Sequence, residues 1–580
     1  MNIRALVVSL ALAPCAFPDA AFAQAVPTGY SDLNGVLLRM QEIALAHPEI
    51  AQYVDITETY DAPPTVEGRH LFALKISDNV AADEDEPAML IVATHHAREI
   101  STPVIALDAA SRLTAGYGTD ARITAAVDGH EIWIAPVWNP DGYDFVFTAN
   151  NMWRKNRRPF ASGTGVDQNR NYPQGWTASC AGSTSASSDT YKGPSAASEA
   201  ETQTMMIWSQ AERFAKVIDY HSSGREVLYG YRCLSHPFTS WMRQEAVNLS
   251  RASGYGGVVR LPSAEGEHPE WQFAKMGAYA FLIETHTQFQ PSYASALNEA
   301  ALVWPGILTV LERPIPVSGH VTDALTGAPI AARVDLVNVT FANGETNNSG
   351  GAFGGYHVFV PPGTYDIRFS ASGYAPVVRR VTVSSTTPSN VVDVQLSPAL
   401  PEEVVFADDF ETDTGWTRNP DATDNASLGL WERGDPQSTS SEGTKQLGTT
   451  VSGVNDLSTG RLAGSSAGAN DVDGGRTSIQ SPIVTLPASG TLTLSFSYYL
   501  AHGSNSSTAD FLRVSIVAAG KTTVFQELGA ANDDDAAWAP ASVDVTAFAG
   551  QAIRILIEAA DASGASLVEA AIDDVKIVKQ

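Results

Sequence analysis

Ile91–Thr102 reads "IVATHHAREIST", and the way its apolar run ends decides the fold. The run starts at Ala88. "AMLIVAT", Ala88–Thr94, is short, continuous and uncharged, as expected of a strand buried on both faces. Two adjacent histidines follow, then an acid. His96 and Glu99 stand three apart, a spacing that turns both side chains the same way on a turn or first helical turn. His95 has only Arg98 at that spacing, a cation that ligates no metal. Of the twelve histidines, His96 alone is followed three later by Glu. Zinc takes His nitrogen and Glu oxygen, and a catalytic zinc keeps three protein ligands and one open position. His96 and Glu99 are therefore candidate zinc ligands, with a plain His–Glu pair on a loop as the bland alternative.

Working outward, Glu131–Val137, Lys216–Tyr220 and Tyr279–Ile283 also read as short buried strands. Asp32–His47 has helical spacing from an Asp cap, and Pro103–Leu113, Ser195–Ala211 and Ala294–Glu312 are helical stretches between or after the strands. Buried strands alternating with helices predict an α/β domain whose mixed, largely parallel sheet is covered by helices. In such sheets ligands bind beyond the carboxyl ends of the strands. His221 lies just past one strand, in "VIDYHSSG", and Glu284 ends another, in "YAFLIETH". Three strands thus deliver two His and two Glu to one edge. His96, Glu99 and His221 form a His–Glu–His candidate site, and Glu284 is left as a candidate general base. Its alternative is a strand-end carboxylate in a salt bridge.

Two cationic stretches stand out in an acidic chain: "MWRKNRR", Met152–Arg158, and "VDQNRNYP", Val166–Pro173. An arginine offers a planar fork to a carboxylate, and another can stabilise a developing oxyanion. Taken alone, each stretch also reads as a solvated basic face.

From Tyr30 to Leu311 the chain resembles the zinc metallocarboxypeptidase family of the carboxypeptidase A and B type. The landmarks are "HHARE", "NPDGY", "WRKNRR", "DQNRNY", "DTYKGP", "DYHSS" and "FLIETH", in order and with near-matching spacings. The resemblance implies a carboxypeptidase-like fold, with His96, Glu99 and His221 as zinc ligands. It implies hydrolysis by a zinc-activated water with Glu284 as general base, and Arg154 as the residue that holds the oxyanion. Asn169 and Arg170 match the pair that grips the substrate's terminal carboxylate, and Arg98 an arginine of an outer subsite. The implied partners are peptides or proteins with a free C-terminal carboxylate. The chain also departs from the family. A second arginine, three before Arg154, is Asn151 here, and the tyrosine that covers bound substrate has no counterpart in Arg260–Trp271. The pocket floor aligns to Pro269, between His268 and Glu270, and another pocket position to Arg232. Arg232 in the pocket would favour an acidic C-terminal residue; Glu265 or Glu267 entering it would favour Lys or Arg.

After Arg313 helical periodicity gives way to short alternating runs separated by turn residues. Residues 314–398 are expected to form a β-sandwich resembling the transthyretin-like, carboxypeptidase regulatory-like domain, read as a packing or spacer module. Residues 404–580, rich in Gly, Ser, Thr and Asp, are expected to form a jelly-roll-like β-sandwich. The whole is thus multidomain: a catalytic domain over 24–313, followed by two all-β sandwich domains. Asp408, Asp409, Asp573 and Asp574 on the terminal strands of the last domain are candidate Ca2+ ligands.

The N-terminus, residues 1–23, has a basic start, an apolar Ala5–Ala13 and the small-x-small pattern Ala21-Phe22-Ala23. This is the pattern of a cleaved signal peptide, so the expected location is secreted or periplasmic. Few residues separate Gln24 from the first helix, so the inhibitory prosegment of digestive relatives is not expected. Loss of Cys15 with the signal leaves Cys180 and Cys233, either as one disulfide or as two buried thiols. A net charge of −28 over 580 residues argues against nucleic acid and anionic membrane as partners. No further apolar run predicts a transmembrane anchor. Oligomeric state is not readable. Two rival functions stay open: a zinc amidohydrolase acting on cell-wall peptides or acylated amino acids, and a non-catalytic binding or adhesion protein on a peptidase scaffold. The first normally carries a different ligand turn from "THHARE"; the second should have lost a ligand or Glu284, and the sequence keeps them all.

Overall fold

The computed structural model describes residues 25–399, 402–562 and 565–580; the signal-peptide pattern and Cys15 lie outside them. The chain forms two compact units that divide after Ala399. The first opens with helix α1, Leu33–Ala46, capped by Asp32, whose side chain accepts from Gly35 N at 2.9 Å. Its sheet has eight strands: β1 Ala51–Asp55, β2 Phe72–Ile76, β3 Ala88–Ala93, β4 Glu131–Ala135, β5 Lys216–Ser222, β6 Glu226–Leu228, β7 Val259–Arg260 and β8 Tyr279–Thr285. Their order is β1-β2-β4-β3-β5-β8-β6-β7. The central strands β4, β3, β5 and β8 are parallel to one another, and the antiparallel pairs β1/β2, β2/β4 and β8/β6 make the sheet mixed.

Apolar residues fill both faces, as continuous buried strands require. Met89, Ile91 and Ala93 of β3 face one core with Ile218 and Tyr220 of β5, while Leu90 and Val92 face the other with Val217. Helices α2 (Thr102–Gly116), α4 (Thr239–Ala252) and α5 (Tyr293–Leu311) contribute to the first core, and α3 (Ala200–Glu212) to the second. By length and composition α5 could cross a membrane, but its face of Ala300, Val303, Ile307 and Val310 packs into the core.

Two boundaries differ from the sequence reading. Helix α3 starts at Ala200, not Ser195. Asn171 Nδ2 donates to Lys192 O, Ser195 O and Ser198 Oγ at 2.8–3.0 Å, and Asn171 Oδ1 accepts from Glu199 N, so tertiary hydrogen bonds hold the preceding loop open. Strands β5 and β8 run two residues further than expected. His221 is therefore a side chain on its strand, not on the loop after it, and Glu284 lies within its strand as expected.

The first unit continues into two small sheets. One holds Val317–Asp323, Gly355–Val358, Asn390–Val391 and Val394–Leu396; the other holds Arg333–Leu336, Gly363–Ser370 and Val377–Val383. Val317, Val334, Ile367, Phe369 and Leu396 lie in the core between them. A loop of this β region reaches the α/β part. Tyr231 OH donates to Glu345 Oε1 at 3.1 Å, Gln174 Nε2 to Asn343 O at 3.2 Å, and Thr346 N to Ala274 O at 2.7 Å.

The second unit is all β, with two six-stranded antiparallel sheets around Trp431, Leu494, Leu512, Ile557 and Ile572. The acids read as calcium candidates take protein donors here. Asp408 accepts from Phe410 N, Trp416 Nε1 and Thr414 Oγ1. Asp573 accepts from Val451 N, Ser452 N and Asp574 N. Asp574 accepts from Ser452 Oγ, and Asp409 from Glu411 N. Among the described residues none of the four belongs to a convergent group of three metal-ligating side chains. The calcium expectation therefore finds no support, because the four acids do not converge and Asp408 and Asp573 are committed to protein donors.

Candidate metal centre and substrate site

At the end of β3 the chain turns sharply. Thr94 has φ 62°, a left-handed conformation rare outside glycine and asparagine. Its hydroxyl holds the turn by donating to Pro136 O at 2.9 Å. Glu99 N then donates to His96 O at 3.1 Å, closing the turn that sets both side chains on one side. His96 Nδ1 lies 2.8 Å from Glu99 Oε1 and 3.0 Å from His221 Nδ1. His221 Nδ1 lies 3.1 Å from Glu99 Oε2. All three side chains are buried.

The donor set fits zinc. Ligand bonds of about 2.0–2.2 Å place neighbouring ligand atoms of a tetrahedron roughly 3.3–3.6 Å apart, close to the spacing here. The far nitrogens are committed elsewhere: His96 Nε2 to Asp167 Oδ1 at 3.0 Å and His221 Nε2 to Asp219 Oδ1 at 3.2 Å. A carboxylate on the outer nitrogen keeps the proton there and leaves the inner one as a lone pair. The electrostatics differ among the three: burial, then Arg154, lowers His96. Burial works against a charged His221, yet Asp219 and Glu99 outweigh it and hold the imidazole well above its usual range. Burial pushes the Glu99 carboxyl up, but the facing His96 and His221 bring it below the usual carboxylate range.

Glu284 stands on β8, with His221 as its Cα partner on β5. Its Oε2 has no hydrogen-bond partner, and its Oε1 is 3.6 Å from Arg260 Nη2. Burial, followed by the charge of Glu99, pushes the carboxyl up to about 7. Arg154 lies across the site, fixed by Asp167 Oδ2 at 3.0 Å from Nε and 2.7 Å from Nη2. Asn169 Oδ1 accepts from His268 N at 2.7 Å, and Asn169 Nδ2 sits 3.3 Å from His221 Nε2. Beside it, Arg170 already binds a carboxylate, Glu267, at 3.1 Å, and its Nε is free of any partner.

Two sequence candidates are not drawn into this group. Arg98 points to Asp189 at 3.3 Å and stacks over Phe289 at 4.5 Å. Arg232 is exposed beside the disulfide that joins Cys180 to Cys233. The buried acids near Arg170 are instead Glu265, held by Cys233 N and Leu234 N, and Glu267.

Three residues of the site escaped the sequence reading: Asp167, Asp219 and His268. For Asp219 a signal existed. It stands two before His221 on an apolar strand, hence on the same face, and a buried acid needs a partner.

The chain matches the zinc carboxypeptidase family over residues 39–296 and the carboxypeptidase regulatory-like domain over residues 316–397. It is 37% identical over 151 residues to a zinc carboxypeptidase from Saccharothrix mutabilis subsp. capreolus, covering 26% of this chain and 33% of that protein. It is 30% identical over 304 residues to carboxypeptidase A2 of Mus musculus, covering 49% of this chain and 70% of that protein. Among solved structures it is similar to carboxypeptidase A from Helicoverpa armigera, at 25% identity and a TM-score of 0.44, covering 49% of this chain and 73% of that one. The chain thus spans about a third of the Saccharothrix relative's length and over two thirds of the mouse one.

Proposed function

The chain belongs to the zinc carboxypeptidase family, and from that premise we propose that it is a metallocarboxypeptidase that removes the C-terminal residue from peptides and proteins. The observation that carries this reading is the convergence of His96 Nδ1, Glu99 and His221 Nδ1 within 3.1 Å, with Glu284 in register beside His221. His96, Glu99 and His221 would hold the zinc. Bound zinc supplies Lewis acidity toward a water molecule and a carbonyl oxygen.

The chain's own groups do the rest. Glu284, with an oxygen free of partners, takes the proton of the attacking water and returns it to the leaving amine. Arg154, oriented by Asp167, faces the negative charge that develops on the scissile carbonyl oxygen. Asn169 and Arg170 hold the terminal carboxylate, which replaces Glu267 on the guanidinium. Glu267, thereby released, favours a basic side chain on the residue removed; Arg98 is left to an outer subsite.

The same reading assigns residues 24–313 to catalysis and the region 314–398 to packing or spacing. It places the protein in the periplasm or outside the cell, supported by the N-terminal pattern and by the Cys180–Cys233 bond. The test is amino-acid release from peptides with a free or an amidated C-terminus, with and without a chelator.

A further inference from the structure

Behind the candidate zinc ligands three imidazoles share one carboxylate. Asp219 Oδ1 lies 3.2 Å from His221 Nε2 and 3.1 Å from His95 Nδ1, and Asp219 Oδ2 lies 3.0 Å from His268 Nδ1. His95, Asp219, His221 and His268 are all fully buried. The outer nitrogens of the two flanking rings are also engaged. Tyr172 OH is 3.2 Å from His95 Nε2, and Gln272 Nε2 is 2.8 Å from His268 Nε2 and from Ser209 Oγ.

One proton assignment satisfies the set. Tyr172 donates to His95 and Gln272 to His268, so each flanking ring accepts on Nε2 and keeps its proton on Nδ1. Both Nδ1–H groups then point at Asp219, as does His221 Nε2–H. Asn169 Nδ2 also lies near His221 Nε2, at 3.3 Å, but a carboxylate beside that nitrogen keeps the proton on it. A second ion between His95, Asp219 and His221, whose ligand atoms are close enough for one, would have to displace these hydrogen bonds.

We infer that His95 and His268 are positioning residues that act through Asp219, fixing His221 so that Nδ1 is its ligand atom. An aspartate with a single imidazole partner can rotate, or turn an oxygen to the metal itself. Here three N–H donors occupy its two oxygens, so it can do neither without losing hydrogen bonds in a fully buried position. The sequence feature left without a role, the first histidine of "THHARE", gains one: it holds the carboxylate that holds the ligand.

This inference rests on His96, Glu99 and His221 being the ligands, and the experiment separates the two claims. Zinc affinity of the full chain is measured by competition with a chromophoric chelator, alongside the visible spectrum of the cobalt-loaded protein. Outer-sphere partners of metal ligands are worth about 10–100-fold in affinity. Asp219→Asn is expected to weaken zinc by that factor, and His95→Leu and His268→Leu by about tenfold, with a shifted cobalt spectrum. His95→Asn, which keeps an N–H near the position of Nδ1, should recover most of the loss. Thermal melts of the metal-free proteins check folding. If Asp219→Asn does not fold, the two leucine variants and His95→Asn decide. Unchanged affinity and spectrum in the leucine variants, while His221→Ala loses zinc, overturns the positioning role alone. Loss of a second zinc equivalent in His95→Leu overturns it in favour of a two-ion site. Retention of zinc by His221→Ala overturns the ligand reading instead.

Discussion

Glu284 and His221 are Cα partners on adjacent parallel strands. Strand pairing therefore sets the separation of the candidate base from the ligand His221. Glu284→Gln preserves the shape and removes the acceptor. The variant should bind zinc as the parent does while kcat falls by about 10²–10⁴, the range for a lost general base. Steady-state kinetics with metal analysis decides; a near-normal kcat removes Glu284 from this role.

The pH profile follows from the same residue. Glu284 accepts a proton only when ionised, and its carboxyl is pushed up to about 7 by burial and then by Glu99. A bound cation favours the ionised form and moves this value down. The kcat/KM of the zinc form should fall tenfold per pH unit on the acid side, with the break at or below about 7. An acid limb breaking well above that value speaks against Glu284 as the titrating group.

Arg170 is expected to act on binding of the chain end. Removing a charged hydrogen bond of about 1.5–3 kcal/mol corresponds to roughly 10–150-fold. Arg170→Ala should lower kcat/KM for free-acid peptides by that factor and leave zinc content unchanged. An equal loss on amidated peptides would separate Arg170 from the carboxylate.

Preference is tested by the terminal residue. Glu267 beside Arg170, with Arg232 exposed, leads to faster release of Lys and Arg than of Asp and Glu. Glu267→Gln should narrow that ratio. A parent enzyme that releases acidic residues faster restores Arg232 as the pocket residue.

The Cys180–Cys233 bond spans 53 residues and joins the segment after Arg170 to the strand-end loop bearing Arg232. A closed loop of that length contributes roughly 2–4 kcal/mol. Replacing both cysteines by serine should lower the melting temperature of the first unit by several degrees, read by calorimetry.

Much of this was legible in the sequence because the signals are local. Continuous apolar runs gave β3, β4, β5 and β8, and the three-residue spacing picked His96 over His95. What was not legible depends on packing between distant segments. Asp167 reaches both His96 and Arg154 only after the loop that carries it folds over the sheet edge. His268 meets Asp219 from a helix 49 residues away. The start of α3 was missed because Asn171 outcompetes local helix propensity. Arg232 was placed by alignment alone, and alignment carries no information on which way a loop side chain turns.

The most direct test of the central claim is amino-acid release from two peptides that differ only in a terminal carboxylate or carboxamide. The account predicts that the free acid loses one residue at a time, that a chelator stops this, that zinc restores it, and that the amide is cut far more slowly. Equal cleavage of both peptides, or full activity in excess chelator, would contradict it.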